Sequence, residues 1–198
     1  MLLLETQYFP AISWCMAVWQ TQTVYLDAAE HYQKGGLRNK CFIAGPNGMQ
    51  RLSIPLVKGK HQQTPIREVR ISYEEPWQRQ HWRSIQAAYG NAPYFDHYGA
   101  DIERIILKKR EFLFDLNQET MDYILTRKLG WQGDFVLEEQ YYKPGTWPKG
   151  LDGRIATSLT PLPYLQVFQE KHGFIPGLSI LDLLFCCGKT GRELLGHA

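Results

Sequence analysis

The sequence predicts an α/β fold with a mixed sheet: a parallel βαβ start, an antiparallel hairpin, and helices gathered in the second half. Three patterns carry this. Residues 2–9, 11–20 and 23–26 read as strand, helix and strand, the order of a parallel crossover unit. Residues 41–44 and 52–57 flank a turn at Gly45-Pro46-Asn47-Gly48. From Glu74 onward apolar residues recur mainly at helical spacing. The same elements can be described as α+β.

Each element has its own warrant. Residues 2–9 open apolar and are stopped by Pro10, which suits a first helical turn. Ile12, Cys15, Met16 and Trp19 follow at i, i+3, i+4, i+7, one face of an amphipathic helix. Thr23, Val24, Tyr25 and Leu26 form a second strand ending at Asp27. Residues 58–65 (KGKHQQTP) are polar and predict a loop, and residues 66–72 alternate weakly as a strand. Glu74-Glu75-Pro76 opens a helix that runs to Tyr89 and ends at Gly90. A further helix is expected at about residues 102–112. Another is expected over residues 119–129, capped by Asn117 and closed by Gly130. Residues 135–142 alternate as a strand, and residues 164–172 and 179–187 predict two last helices before Gly173 and Gly188. One domain over 1–198 is expected, with an extended arm at 143–163 rich in Pro, Gly, Ser and Thr, and a C-terminal helical segment at 164–198.

Composition bounds the function. Hydrophobic residues at 44% and charged residues at 21% are ordinary for a globular chain, whereas 13% aromatics is rich. A formal net charge of +2 argues against nucleic acid as a partner. No run approaches the ~20 apolar residues of a membrane helix. The opening MLLLETQYFP lacks the basic start and apolar length of a signal peptide, so a cytoplasmic location is expected. Cys15, Cys41, Cys186 and Cys187 form no CxxC and read as reduced core thiols.

The densest chemistry lies in HYQKGGLRNKCFIAGPNGMQRLSIPL, which begins at His31. Lys34, Arg38 and Asn39 beside Gly35 and Gly36 could hold a phosphate or carboxylate, or could simply be a solvated turn. There is no Walker or dinucleotide-binding fingerprint, and no motif specifies a cofactor. His81 could act as a general base; packing of its helix on the sheet would explain it equally. Trp82 and Tyr89 share that helix. Asp27 and Glu30 could provide a carboxylate pair beside the basic loop or form salt bridges. Gln7 and Tyr8 would lie at the carboxyl end of the first strand, where open α/β sheets bind ligands. His81 and His97 have no carboxylate at ligand spacing, so no metal is expected.

Several segments in series resemble the WbqC-like family of bacterial proteins. They are QYFP, the strand closing on Asp27, YQKGGLRNKCFI, GMQRLSIPL, WQRQHWRSIQAAYGNAPYFDHY and LFDLNQETMDYIL. Where many relatives open with His-Gln-Pro, this chain has Glu5-Thr6-Gln7, and the family's Asn-Arg pair stands here as Asn39-Lys40. The resemblance implies a place in the synthesis of O-antigen or other surface polysaccharides, and a glycine, aminoacyl or acyl transferase acting on an amino-sugar or nucleotide-sugar precursor. It implies functional roles for Lys34, Arg38 and Asn39, and more modestly for Gln7, Tyr8, His81 and Trp82. With Tyr89 added from the aromatic cluster on its helix, the substrate-binding residues expected are Gln7, Tyr8, Lys34, Arg38, Asn39, Trp82 and Tyr89, and His81 and Asp27 are the catalytic candidates. The partners expected are a small-molecule substrate, a nucleotide sugar among them, and a second copy of the chain in a homodimer. The alternative is a non-catalytic binding module in a biosynthetic complex, which the aromatic richness and the 143–163 arm would suit.

Overall fold

The structure, a computed structural model, describes residues 2–57, 64–143 and 159–196. Strand β1 (Leu2–Leu4), helix α1 (Ile12–Trp19) and strand β2 (Thr23–Asp27) form the expected parallel βαβ unit. Strand β5 (Asp134–Glu138) joins it in parallel, giving the order β1-β2-β5 with β2 central. Leu2, Leu4, Val24 and Leu26 are buried in the main core with Trp14, which stacks on Phe135 at 6.3 Å.

Strands β3 (Lys40–Gly45) and β4 (Gly48–Ser53) form a separate two-stranded antiparallel sheet. Gly45 pairs with Gly48, so Pro46-Asn47 is the two-residue turn. Gly48 takes φ +97°, a backbone open to glycine. The second strand therefore starts earlier than the expected 52–57, because its pairing is set by the tight turn and not by its apolar residues. Together the parallel sheet, the hairpin and the helices make the fold α/β with a mixed strand arrangement.

Helix α2 (Trp77–Tyr89) forms as expected, and α3 (Phe95–Leu107) starts seven residues before the predicted 102, since Phe95 and Gly99 also pack inward. Residues 66–72 form no strand. Residues Ile66–Glu68 make one tight helical turn, and isolated bridges join Leu56 to Ile71 and Arg70 to Phe112.

Asn117 is no cap. Helix α4 (Leu113–Met121) runs through it, and the chain continues as a wider π-helical segment, Asp122–Leu129, closed by Gly130 at φ +83°. The buried face Leu113, Leu116, Asn117, Thr120 explains the earlier start. The predicted helix at 164–172 shrinks to α5 (Gln169–His172), because Tyr164 and Gln166 turn inward to bond Asp182. Ser179 caps α6 (Ile180–Cys187) by accepting the Leu181 N–H, and α7 (Arg192–Gly196) packs against α1.

Most of the loop expected at 58–65, and of the arm expected at 143–163, lies outside the described residues. All four cysteines are free thiols; Cys15 and Cys41 are buried, whereas Cys186 and Cys187 are half-buried. No helix of the described residues is long and apolar enough to cross a membrane.

Candidate functional site

Three parallel strands end on one edge, and the sequence makes that edge acidic. Glu5-Thr6-Gln7 leave β1, Asp27 ends β2, and Glu138 ends β5 directly opposite Asp27. Ligands of open α/β sheets sit at this carboxyl edge. Asp27 is 6% exposed, and its Oδ1 is buried with no hydrogen-bond partner among the described residues. Burial raises the pKa of its carboxyl group, against backbone N–H groups of Glu30 and Ala29 and the charge of Arg38, which favour the ionised form.

Arg38 faces this edge with its charge already engaged. Its Nε donates to Glu30 Oε1 at 2.7 Å, and its Nη2 donates to Glu30 Oε2, a two-point pair with both side chains buried. Burial nevertheless pushes the Glu30 carboxyl up to about 7; Arg38 opposes the shift, and Asp27 and Glu5 add to it. The Arg38 carbonyl accepts Asn117 Nδ2 at 2.8 Å, and the same nitrogen reaches Thr6 Oγ1 at 3.3 Å. Asn117 Oδ1 is a second buried acceptor with no partner among the described residues. The guanidinium lies close over Gly36, where a Cβ would stand 2.6 Å from Arg38 Nη1. Lys34 stands exposed on the same loop beside Gly35 at φ +98°.

Two other predicted residues brace the edge. Asn39 accepts the Tyr32 hydroxyl at 2.9 Å and donates to the Ile54 carbonyl at 2.9 Å, tying the loop to the end of the hairpin. Gln7 accepts the Ala11 N–H at 3.1 Å and donates to Glu5 Oε1 at 2.9 Å. Between them, the Tyr8 N–H donates to the Leu37 carbonyl at 3.3 Å. Phe9 holds φ +40°, a strained conformation for a bulky residue. It is fixed there by full burial and by Ser179 Oγ donating to its carbonyl at 2.8 Å.

The remaining candidates lie in the interior frame. His81 Nδ1 is 3.2 Å from the Tyr8 hydroxyl and its Nε2 is 3.2 Å from the Ser53 carbonyl. Desolvation lowers its pKa to about 4. Trp82 stacks on Phe95 at 5.8 Å across the α2–α3 contact. The Tyr89 hydroxyl donates to Asp182 Oδ1 at 2.9 Å and accepts the Ala44 N–H at 3.0 Å. The structure thus gathers Gln7, Asp27, Arg38 and Asn39 near the sheet edge, and it places Tyr89 and Trp82 elsewhere, on α2. Sequence reasoning took Asn117 for a helix cap and passed over Asp182. The available signal for each was a polar residue inside an apolar helical face, Leu113-Leu116-Asn117-Thr120 and Ile180-Leu181-Asp182-Leu183.

No group of three or more His, Cys, Asp or Glu among the described residues is arranged to hold a metal. Two clefts of about 320 and 380 Å³ lie elsewhere, one between Leu26 and Asp122, the other beside Tyr73 and Lys109.

The sequence profile of the WbqC-like protein family matches residues 6–149, a span that opens at Thr6 and takes in Asp27, Arg38, His81 and Asn117. The uncharacterized protein Rv1507c of Mycobacterium tuberculosis is 26% identical over 196 residues, with 84% of each chain covered. No solved structure matches the chain. With most of its length matched in this way, the chain belongs to the WbqC-like protein family.

Proposed function

We propose that the protein is a transferase that places a glycyl, other aminoacyl or acyl group on the amine of an amino-sugar or nucleotide-sugar precursor during surface-polysaccharide synthesis. One observation carries this reading: the unpartnered, buried Asp27 Oδ1 at the carboxyl edge of the central strand. An unmet acceptor complements a hydrogen-bond donor, and an amine supplies one. In the step envisaged, the amine nitrogen attacks the carbonyl carbon of an activated acyl donor. The C–N bond forms, the bond to the leaving group breaks with its electron pair, and Asp27 takes the amine proton. A carboxyl group whose pKa is raised by burial is a stronger base than a solvated one.

The other residues take supporting roles in this reading. Lys34, exposed on the glycine loop, meets the phosphates of a nucleotide sugar. Gln7, Tyr8 and Asn39 fix the loop and the strand end, while His81, Trp82 and Tyr89 hold α2 in place. The free thiols suit the reducing cytoplasm, the compartment this reading assigns. The test is a mass-spectrometric assay of nucleotide amino sugars with activated acyl and aminoacyl donors. Asp27→Asn should lower turnover by about 100-fold or more while ligand binding persists. Equal turnover in wild type and variant would remove Asp27 from the chemistry.

A second reading, a non-catalytic module in a biosynthetic complex, draws on one feature. Leu162, Leu165 and Val167 are 50%, 76% and 36% exposed on a single irregular segment. Such a row suits docking of a partner, a second copy included. Sedimentation of wild type and Leu165→Asp, with and without the biosynthetic enzymes, separates this reading from the first.

A further inference from the structure

We propose that Glu30 is the resting occupant of a phosphate-binding site on Arg38, and that a phosphate group of the substrate displaces it. This rests on the nucleotide-sugar reading above and names how that substrate is held.

The geometry is that of a ligand site filled from within. A guanidinium fork binds carboxylate and phosphate in the same two-point manner. Glu30 occupies two corners of the fork, through Nε and Nη2. The backbone that carries the fork is fixed. Asn117 holds the Arg38 carbonyl, and the preceding Leu37 carbonyl accepts both the Tyr8 and Lys40 N–H groups. Glu30 is pinned at its backbone, where its carbonyl accepts the Ile66 N–H at 2.8 Å. Its side chain is therefore the part free to exchange. The guanidinium packs against Gly36, where a Cβ would lie 2.6 Å from Nη1, and exposed Lys34 adds charge on the same loop. A second buried group points to the same substrate through a different part of it: Asp27 Oδ1, an acceptor that lacks a partner among the described residues, suits the substrate's amine and not its phosphate.

The exchange balances through one proton. The groups acting on Glu30 are Arg38, which favours its charge, and Asp27 and Glu5, which oppose it, together with burial. When a singly charged phosphate of a diphosphate ester takes the guanidinium, Glu30 loses the Arg38 charge and binds a proton from solvent, so the buried charge stays constant; a sulfate dianion adds one negative charge to the site and drives the same proton uptake. Arg38 moves from one anion to another, and no unpaired buried carboxylate is created.

Inorganic sulfate is the probe, a tetrahedral anion that does not itself titrate between about pH 6 and pH 9. Calorimetry in two buffers of different ionisation enthalpy should show close to one proton taken up per sulfate at about pH 8. Affinity should fall as pH rises, approaching tenfold per unit well above pH 7, where Glu30 is ionised. In Glu30→Gln, sulfate should bind about tenfold more tightly at pH 8, with no proton uptake. Wild-type binding without proton uptake would overturn the proposal, as would a folded Glu30→Gln variant that binds like wild type. The wild-type proton count stands even where the variant fails to fold. A transfer assay that fails while sulfate displaces Glu30 would sink only the transferase reading; the converse would sink only the exchange.

Discussion

The Tyr8 hydroxyl meets His81 Nδ1 at 3.2 Å, joining the residue after Gln7 to the middle of α2. The Ser53 carbonyl lies 3.2 Å from the other ring nitrogen and can only accept. Nε2 therefore carries the proton, and Nδ1 accepts from Tyr8. Both nitrogens of a neutral imidazole are thus engaged, and Trp77 closes on the ring edge-on at 5.0 Å.

A pH dependence of stability follows. The His81 pKa is lowered to about 4, below the usual histidine range, so the unfolded chain binds more protons in mildly acidic solution. Its contribution is fully present above about pH 6.5 and is lost as pH falls toward 4. The loss is on the order of 3 kcal/mol over that window. Glu30 works the other way. Its raised pKa gives stability that is present below the usual carboxylate range and lost as pH rises through about 7. Urea titrations at pH 5 and pH 7 on wild type and His81→Gln should show a shallower acid loss in the variant. An unchanged slope would mean that another group dominates.

Asp27 should separate function from stability. Its carboxylate is buried, and its charged form is disfavoured by that burial. Asp27→Asn removes the charge at nearly constant shape. The variant should unfold in urea no earlier than wild type, while transfer activity collapses. A variant that is markedly less stable would instead place Asp27 among the structural ion pairs.

How much of this was legible in the residues depends on range. The βαβ start was readable because Pro10, the spacing of Ile12, Cys15, Met16 and Trp19, and the strand at Thr23–Asp27 are local signals. Asn117 was misread for a physical reason: asparagine is a good cap, and nothing local reveals that its amide reaches Thr6 and Arg38, 111 and 79 residues away. Arg38 was legible as a charge on the glycine loop, but its pairing with Glu30 depends on a fold that buries both. Tyr164 and Gln166 carry a helical pattern, yet Asp182 draws them out of it.

That Asp182 network makes a stability prediction. Tyr89, Tyr164 and Gln166 all donate to one buried carboxylate, and they come from α2 and from the segment before α5. Tyr89→Phe deprives both Asp182 and the Ala44 N–H of their partner. It should cost about 2 kcal/mol, read by chemical denaturation. Asp182→Leu leaves three hydroxyl or amide groups without their acceptor and should cost at least as much.

Gly36 tests the Arg38–Glu30 geometry without touching either charge. An alanine Cβ at this position would lie 2.6 Å from Arg38 Nη1, so the guanidinium has to shift. The usual escape, swinging a flexible end into solvent, is closed by the two-point bond to Glu30 and by burial. Gly36→Ala should therefore destabilise the protein by about 1–2 kcal/mol through distortion of the pair. The effect is separable from any general cost of a larger side chain by a double-mutant cycle. In a Glu30→Gln background the guanidinium is held less tightly and can yield, so the cost of Gly36→Ala should shrink by about 1 kcal/mol. An equal cost in both backgrounds would show that the loop backbone takes the strain instead of Arg38. A reduced cost would show that Glu30 alone keeps the fork in its resting place, the condition under which an incoming phosphate can claim it.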